Sequence, residues 1–194
     1  MKSTVDERSL RRVSHISTFM LVFYYWLPEE MLGFSNLYAL LSLTVLVVVA
    51  DLIRIAFNVD VPGQRWYEKG RLSALAWVFI GASMVITLFP AYLVIPSILC
   101  MAFVDPILSI RREKERDFTF LSISFTTAFF IFIISLLMFS PWNLFFAFIF
   151  SLMAGLMVLV SERQRSYHVD DDFLLVVVPP SVVYLVILSL GIPP

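Results

Sequence analysis

Apolar positions along this chain gather into long runs, separated by short segments rich in charge or proline. Seven runs stand out: 13–27, 37–57, 72–89, 92–110, 118–139, 144–160 and 173–190. Each approaches the roughly 20 mainly apolar residues that a helix needs to cross a bilayer, within a working range of about 17–25. The stops have local causes. Pro28 ends the first run, Pro90 the third and Ser140-Pro141 the fifth, because proline lacks the N–H that would continue a helix. Pro96 and Pro106 fall inside the fourth run, and Pro179-Pro180 mark a kink in the seventh. The pattern predicts an all-α, polytopic integral membrane protein with about seven transmembrane helices, forming a single transmembrane domain over 1–194.

Composition narrows the function classes. Of 194 residues, 60% are hydrophobic and 15% charged, against about 25% charged in an ordinary soluble domain. Mean hydropathy is +0.89. A water-soluble fold could not hide this much apolar surface, which excludes a soluble enzyme, a disordered chain and a nucleic-acid-binding protein. Cys100 is the single cysteine, so no internal disulfide and no zinc spacing exist. Lys2 to Arg12 is charged and no small-residue cleavage site follows the first apolar run, so no cleavable signal is expected.

The placement of charge orients the spans. All 14 basic residues fall before the first run, around the 2–3 connection, between runs four and five, or between runs six and seven. With seven crossings these segments share one side. The opposite connections carry no Lys or Arg, which predicts a cytoplasmic N-terminus and an external C-terminus. Of the 15 acidic residues, only Glu29 and Glu30 lie on the external side. Short cytoplasmic connections dense in both signs read as a polar site at that face, or as solvated loops in mutual ion pairs.

Five constellations carry candidate chemistry. Arg11, Arg12 and His15 open the first run and share a helical face. They read as a cationic edge for phosphate with a proton acceptor, or as anchors to anionic head groups. Asp51 and Arg54 lie one turn apart in the second run, where a carboxylate should face the bundle interior; they form a site or an internal ion pair. Glu68-Lys69-Gly70-Arg71 leads to Ser73 at the third run, where Gly70 permits close backbone approach and Arg71 can bind phosphate bidentately. Asp105 precedes Pro106, with Arg112 two turns on. An Asp beside a broken helix suits an ion or phosphate, or it pairs with Arg54 or Arg112. Asp170-Asp171-Asp172, with Glu162 before them, offer the hard oxygen ligands that Mg²⁺ prefers, although one Asp there also serves as a helix cap. Together these groups suit phosphoryl or nucleotidyl transfer to an acceptor that lives in the bilayer.

At these residues the sequence resembles the CTP-dependent polyprenol kinase group, which includes dolichol kinase, phytol kinase and the CTP-dependent diacylglycerol kinase. Phosphatidate cytidylyltransferase is a more distant relative. The resemblance covers nearly the whole chain. It rests on Arg11, Arg12 and His15, on Asp-Leu-Ile-Arg at 51–54, on Glu-Lys-Gly-Arg-Leu-Ser at 68–73, on Phe-Val-Asp-Pro around Asp105, and on the acidic cluster before the last run. The departure lies at 110–122, which contains no glycine. The group has there a Gly-rich stretch whose backbone N–H groups approach nucleotide phosphates.

The resemblance and the residues together imply a kinase that transfers a phosphoryl group from a nucleotide, CTP by resemblance, to the hydroxyl of a polyprenol or dolichol-like isoprenoid lipid at the cytoplasmic face. Asp105, Glu162, Asp171 and Asp172 are the expected Mg²⁺ ligands. Arg12, Arg54, Arg71 and Arg112 are the expected phosphate contacts. His15 or Asp51 would take the alcohol proton, with Asp105 at the reacting centre. Expected partners are membrane lipids, the isoprenoid alcohol and the nucleotide, with no nucleic acid; the sequence leaves the oligomeric state open. Two other classes stand beside this one. The first is a non-catalytic membrane protein of the same fold that binds a lipid or a partner subunit. The second is a transporter, against which the one-sided charges and the lack of an internal repeat both count.

Overall fold

The computed structural model describes residues 16–31, 33–61, 70–109, 118–163 and 169–192, with the side chains at 31, 105–109, 118–120 and 163 outside the description. A 3₁₀ helix, Thr18–Trp26, comes first. Two short antiparallel strands follow, β1 (Glu30–Met31) and β2 (Phe34–Ser35), in register Glu30 to Ser35. Six α-helices follow among the described residues: α1 (Asn36–Ala56), α2 (Ala74–Leu88), α3 (Ala91–Ser109), α4 (Phe118–Phe139), α5 (Leu144–Arg163) and α6 (Asp171–Ser189).

Four stretches are long and apolar enough to cross a membrane: Asn36–Ala56, Leu121–Phe139, Leu144–Glu162 and Asp171–Ser189. At 1.5 Å per residue they reach about 28–31 Å, close to the hydrocarbon thickness of a bilayer. Their outward faces expose Leu46, Val49, Phe130, Phe145 and Leu185. Such a broad apolar surface is unsuited to water, and the chain is an integral membrane protein. The apolar helix α2 is shorter, at 15 residues.

The first apolar run differs from the expected span. Its described part opens on Ile16 and Ser17, which are α-helical, and continues as the 3₁₀ helix, nine residues long and about 18 Å at 2.0 Å per residue. The sequence Thr-Phe-Met-Leu-Val-Phe-Tyr-Tyr-Trp is rich in β-branched and aromatic side chains, which lose rotamer freedom in an α-helix. Packing on α3, with Thr18 Oγ1 donating to Met101 Sδ over 3.5 Å, fixes it to the bundle.

Capping residues set the helix ends. Ser35, Ser73 and Asp170 cap α1, α2 and α6, their side chains accepting from the N–H groups of Leu37, Ala76 and Asp172. Asn143 Oδ1 accepts from Phe146 N at the start of α5. These bonds satisfy amides that have no partner within the helix. α1 ends in a left-handed turn: Asn58 has φ 51°, Asn58 N donates to Ile55 O, and Val59 N donates to Arg54 O. α6 closes in the same way on Gly191, with φ 65°. The expected kink at Pro179-Pro180 does not interrupt α6, which runs through both buried prolines. Ser181 Oγ donates to Val177 O within the same stretch.

α6 is the hub, packing against α2, α3 and α5, while α4 bridges α3 and α5. The core is built from side chains under 2% exposed, among them Val78, Leu93, Met101, Phe132, Phe150 and Leu175. Two glycines permit the closest approaches. A Cβ on Gly81 would lie 3.1 Å from Phe173 Cδ2, and one on Gly155 would lie 3.0 Å from Phe125 Cε2. α1 is peripheral. It packs on α2, and its buried residues are Leu40, Asp51 and Arg54.

Candidate functional site

The charged motifs at the end of α1, ahead of α2, at the end of α5 and at the start of α6 lie at one end of the bundle. Three contacts tie that end together. The end of α1 meets the start of α2 where Ser73 N donates to Asp51 Oδ2 over 2.5 Å. The start of α2 meets the start of α6 where Trp77 packs edge-on against Phe173, ring centroids 5.4 Å apart. The end of α5 meets α6 where Ser161 Oγ donates to Leu174 O over 3.4 Å.

The first half of the site is a closed polar arrangement. Arg54 Nε donates to Asp51 Oδ1 over 2.6 Å, and Arg54 Nη2 donates to the carbonyl of Arg71 over 2.8 Å. Both side chains are under 10% exposed. Each carboxylate oxygen of Asp51 therefore accepts a bond, one from a guanidinium and one from a backbone amide. The carboxylate also sits where the α2 macrodipole favours negative charge. Arg71 is half-buried, and Gly70 before it borders open space.

The second half is acidic. Asp170, Asp171 and Asp172 each place a carboxylate oxygen within 4.8 Å of the others. Asp170 Oδ1 also accepts from Asp172 N over 3.1 Å. Asp172 is fully buried, and Glu162, near the end of α5, is 5% exposed. Buried carboxylates require compensation by a proton, a cation or donors. Three clustered oxygens on one helix start fit a hard divalent cation by donor type.

Among the expected site residues, the structure brings Asp51, Arg54 and Arg71 into one arrangement and places Asp171 and Asp172 in the acidic group. Glu162 lies at the same end, while the three-oxygen group closes on Asp170 instead among the described residues. Arg12, His15 and Arg112 lie outside the described residues, and Asp105 falls in α3 with its side chain outside the description. Sequence reasoning named Asp170 in the acidic group but left it out of the expected ligand set; the structure shows it both capping α6 and within that group. One participant was passed over. The backbone of Arg71–Ser73 carries no side-chain signal at all. Compared with protein-family models, with curated proteins and with solved structures, the chain matches none of them.

Proposed function

We propose that this chain is a lipid kinase that transfers the terminal phosphoryl group of a nucleotide, CTP by resemblance, to the hydroxyl of a polyprenol or dolichol-like lipid. In this reading the chain crosses the membrane seven times, with the N-terminus cytoplasmic and the C-terminus external, and the charged end faces the cytoplasm. The observation that carries it is the acidic group at the start of α6: three carboxylate oxygens within 4.8 Å, at the same end as the buried Glu162, Arg54 and Arg71.

In the reaction the alcohol oxygen bonds to the terminal phosphorus, the bond from that phosphorus to the bridging oxygen breaks, and the nucleoside diphosphate leaves with the electron pair. The alcohol proton passes to a base. Asp171 and Asp172, with Asp170 beside them and Asp105 and Glu162 as further candidates, would hold Mg²⁺, which would supply charge neutralisation at the phosphate oxygens. Arg12, Arg71 and Arg112 orient phosphates by paired N–H donors. His15 is the favoured base, because both oxygens of Asp51 already accept bonds from Arg54 and Ser73. Phe and Met side chains between helices suit a flexible lipid tail.

The test is transfer by detergent-purified protein, with labelled CTP, ATP and GTP against a panel of isoprenoid alcohols, with and without Mg²⁺. Mg²⁺-dependent transfer is expected. Asp172→Asn should lower it about 100-fold or more, equal to ~2.7 kcal/mol, without loss of folded protein. A second reading, a non-catalytic lipid- or subunit-binding protein, is favoured by the glycine-free segment 110–122, where nothing replaces a backbone phosphate cradle. No transfer and no nucleotide binding with any donor would select it.

A further inference from the structure

We propose that Asp51 and Arg54 form a latch on the α1–α2 connection that positions Arg71 for a phosphate group, and that neither touches the substrate. The inference deepens the phosphoryl-transfer reading and rests on it for what Arg71 binds.

The latch holds the chain at two backbone points, on residues two apart. Arg54 Nη2 grips the carbonyl of Arg71, and Asp51 Oδ2 grips the amide of Ser73. The bond between Asp51 Oδ1 and Arg54 Nε joins the two grips into one unit. Ser73 Oγ then caps Ala76 N, so the first turn of α2 is fixed from the same place. α1 contributes to the fixing at its own end, because the carbonyl of Arg54 accepts from Val59 N in the turn on Asn58.

The charges in this unit are matched. Asp51 neutralises Arg54, and it occupies the anion position at the α2 N-terminus. An incoming phosphate therefore gains little from Arg54 or from the Ser73 amide. Arg71 lies on the segment whose backbone the latch holds, next to Gly70, where an added Cβ would meet nothing within 4 Å. A cation on a pre-fixed backbone loses less freedom on binding than one on a loose connection. This is a reason for a fully engaged ion pair at that depth, where a paired charge is otherwise costly. The ligand chemistry is a phosphate, carried by a nucleotide or by a lipid head group.

The test compares the full-length wild type with Arg54→Lys, Asp51→Asn and Arg71→Gln. Amide hydrogen exchange is followed over 70–77. Binding is measured with CTP, with pyrophosphate, and with nanodiscs containing phosphatidylglycerol. Arg54→Lys is the gentler variant: lysine can pair with Asp51 but lacks the fork that reaches Arg71 O at the same time. The expected result is exchange at Ser73 at least about tenfold faster in both latch variants. Affinity for CTP and pyrophosphate should fall by about tenfold, and KM for the donor should rise with kcat within about twofold. Arg71→Gln should reproduce the affinity loss with exchange at Ser73 unchanged. Unchanged exchange in both latch variants overturns the latch. A fall in kcat with unaltered KM also overturns it, because the pair would then act on the reacting atoms. Faster exchange, with only the nanodisc affinity falling in Arg71→Gln, keeps the latch, assigns the phosphate to a lipid, and defeats the phosphoryl-transfer reading. A wild type that binds none of the three probes overturns the role given to Arg71.

Discussion

At the scale of single residues, Asp170, Asp171 and Asp172 have the same chemistry and three different settings. Asp170 is the cap, Asp171 is half-buried in the first turn, and Asp172 is fully buried. Asp170→Ala removes the oxygen that accepts from Asp172 N, and should lower stability by about 1 kcal/mol. Asp170→Asn should be nearly neutral, since Asn caps as well as Asp. Thermal unfolding in detergent checks both, and equal losses in the two variants would make the charge of Asp170, rather than its cap, the feature that matters. The sequence exposes part of this site. Asp51 and Arg54, three residues apart on a helix, can be paired by spacing alone. Their bonds to Ser73 N and Arg71 O cannot, because backbone groups 22 and 17 residues away have no signature in the side-chain pattern. The division of labour within Asp170–Asp172 is hidden for a related reason: it depends on what α5 and α2 pack against that helix start.

At the scale of elements, helix contacts in a bilayer gain little from hydrophobicity, since lipid is as apolar as Leu. Close approach and hydrogen bonds take over. Gly155 and Phe125 join α5 to α4, Gly81 and Phe173 join α2 to α6, and Thr44 and Ser83 join α1 to α2 with hydroxyl oxygens 2.6 Å apart. Gly155→Ala should cost about 1–3 kcal/mol, because its Cβ would press on the Phe125 ring. Gly70→Ala, which meets nothing within 4 Å, should cost far less. Their unfolding midpoints test the difference. Helix limits were readable wherever the punctuation is local. The run 118–139 coincides with α4, and Ser140-Pro141 marks its end. The 3₁₀ winding at Thr18–Trp26 was not legible, because length and apolarity say nothing about winding.

At the scale of the whole molecule, the described charged residues of α1, α5 and α6 and the segment before α2 gather at one end. Asp51, Arg71, Glu162 and Asp172 occupy one end, and the β1–β2 hairpin and the turn at Ser140–Asn143 belong to the other. Reporter fusions at the two termini should therefore read opposite sides, cytoplasmic at the N-terminus and external at the C-terminus. Two fusions on the same side would overturn the proposed seven crossings and the proposed cytoplasmic setting of the site.

The thin attachment of α1 bears on how the chain is made. During synthesis α1 emerges before the residues that receive it, so for a time Asp51 and Arg54 have neither Ser73 nor Arg71 available. Their spacing lets them neutralise one another within the nascent helix, so α1 can enter the lipid without an isolated charge. A truncated nascent chain ending at Asp60 should insert efficiently as wild type, poorly as Asp51→Ala, and efficiently again when Arg54→Leu is added. Glycosylation tags in a microsome insertion assay would read the three outcomes. On this account the ion pair serves the newborn helix first, and the assembled protein inherits it as a fastening.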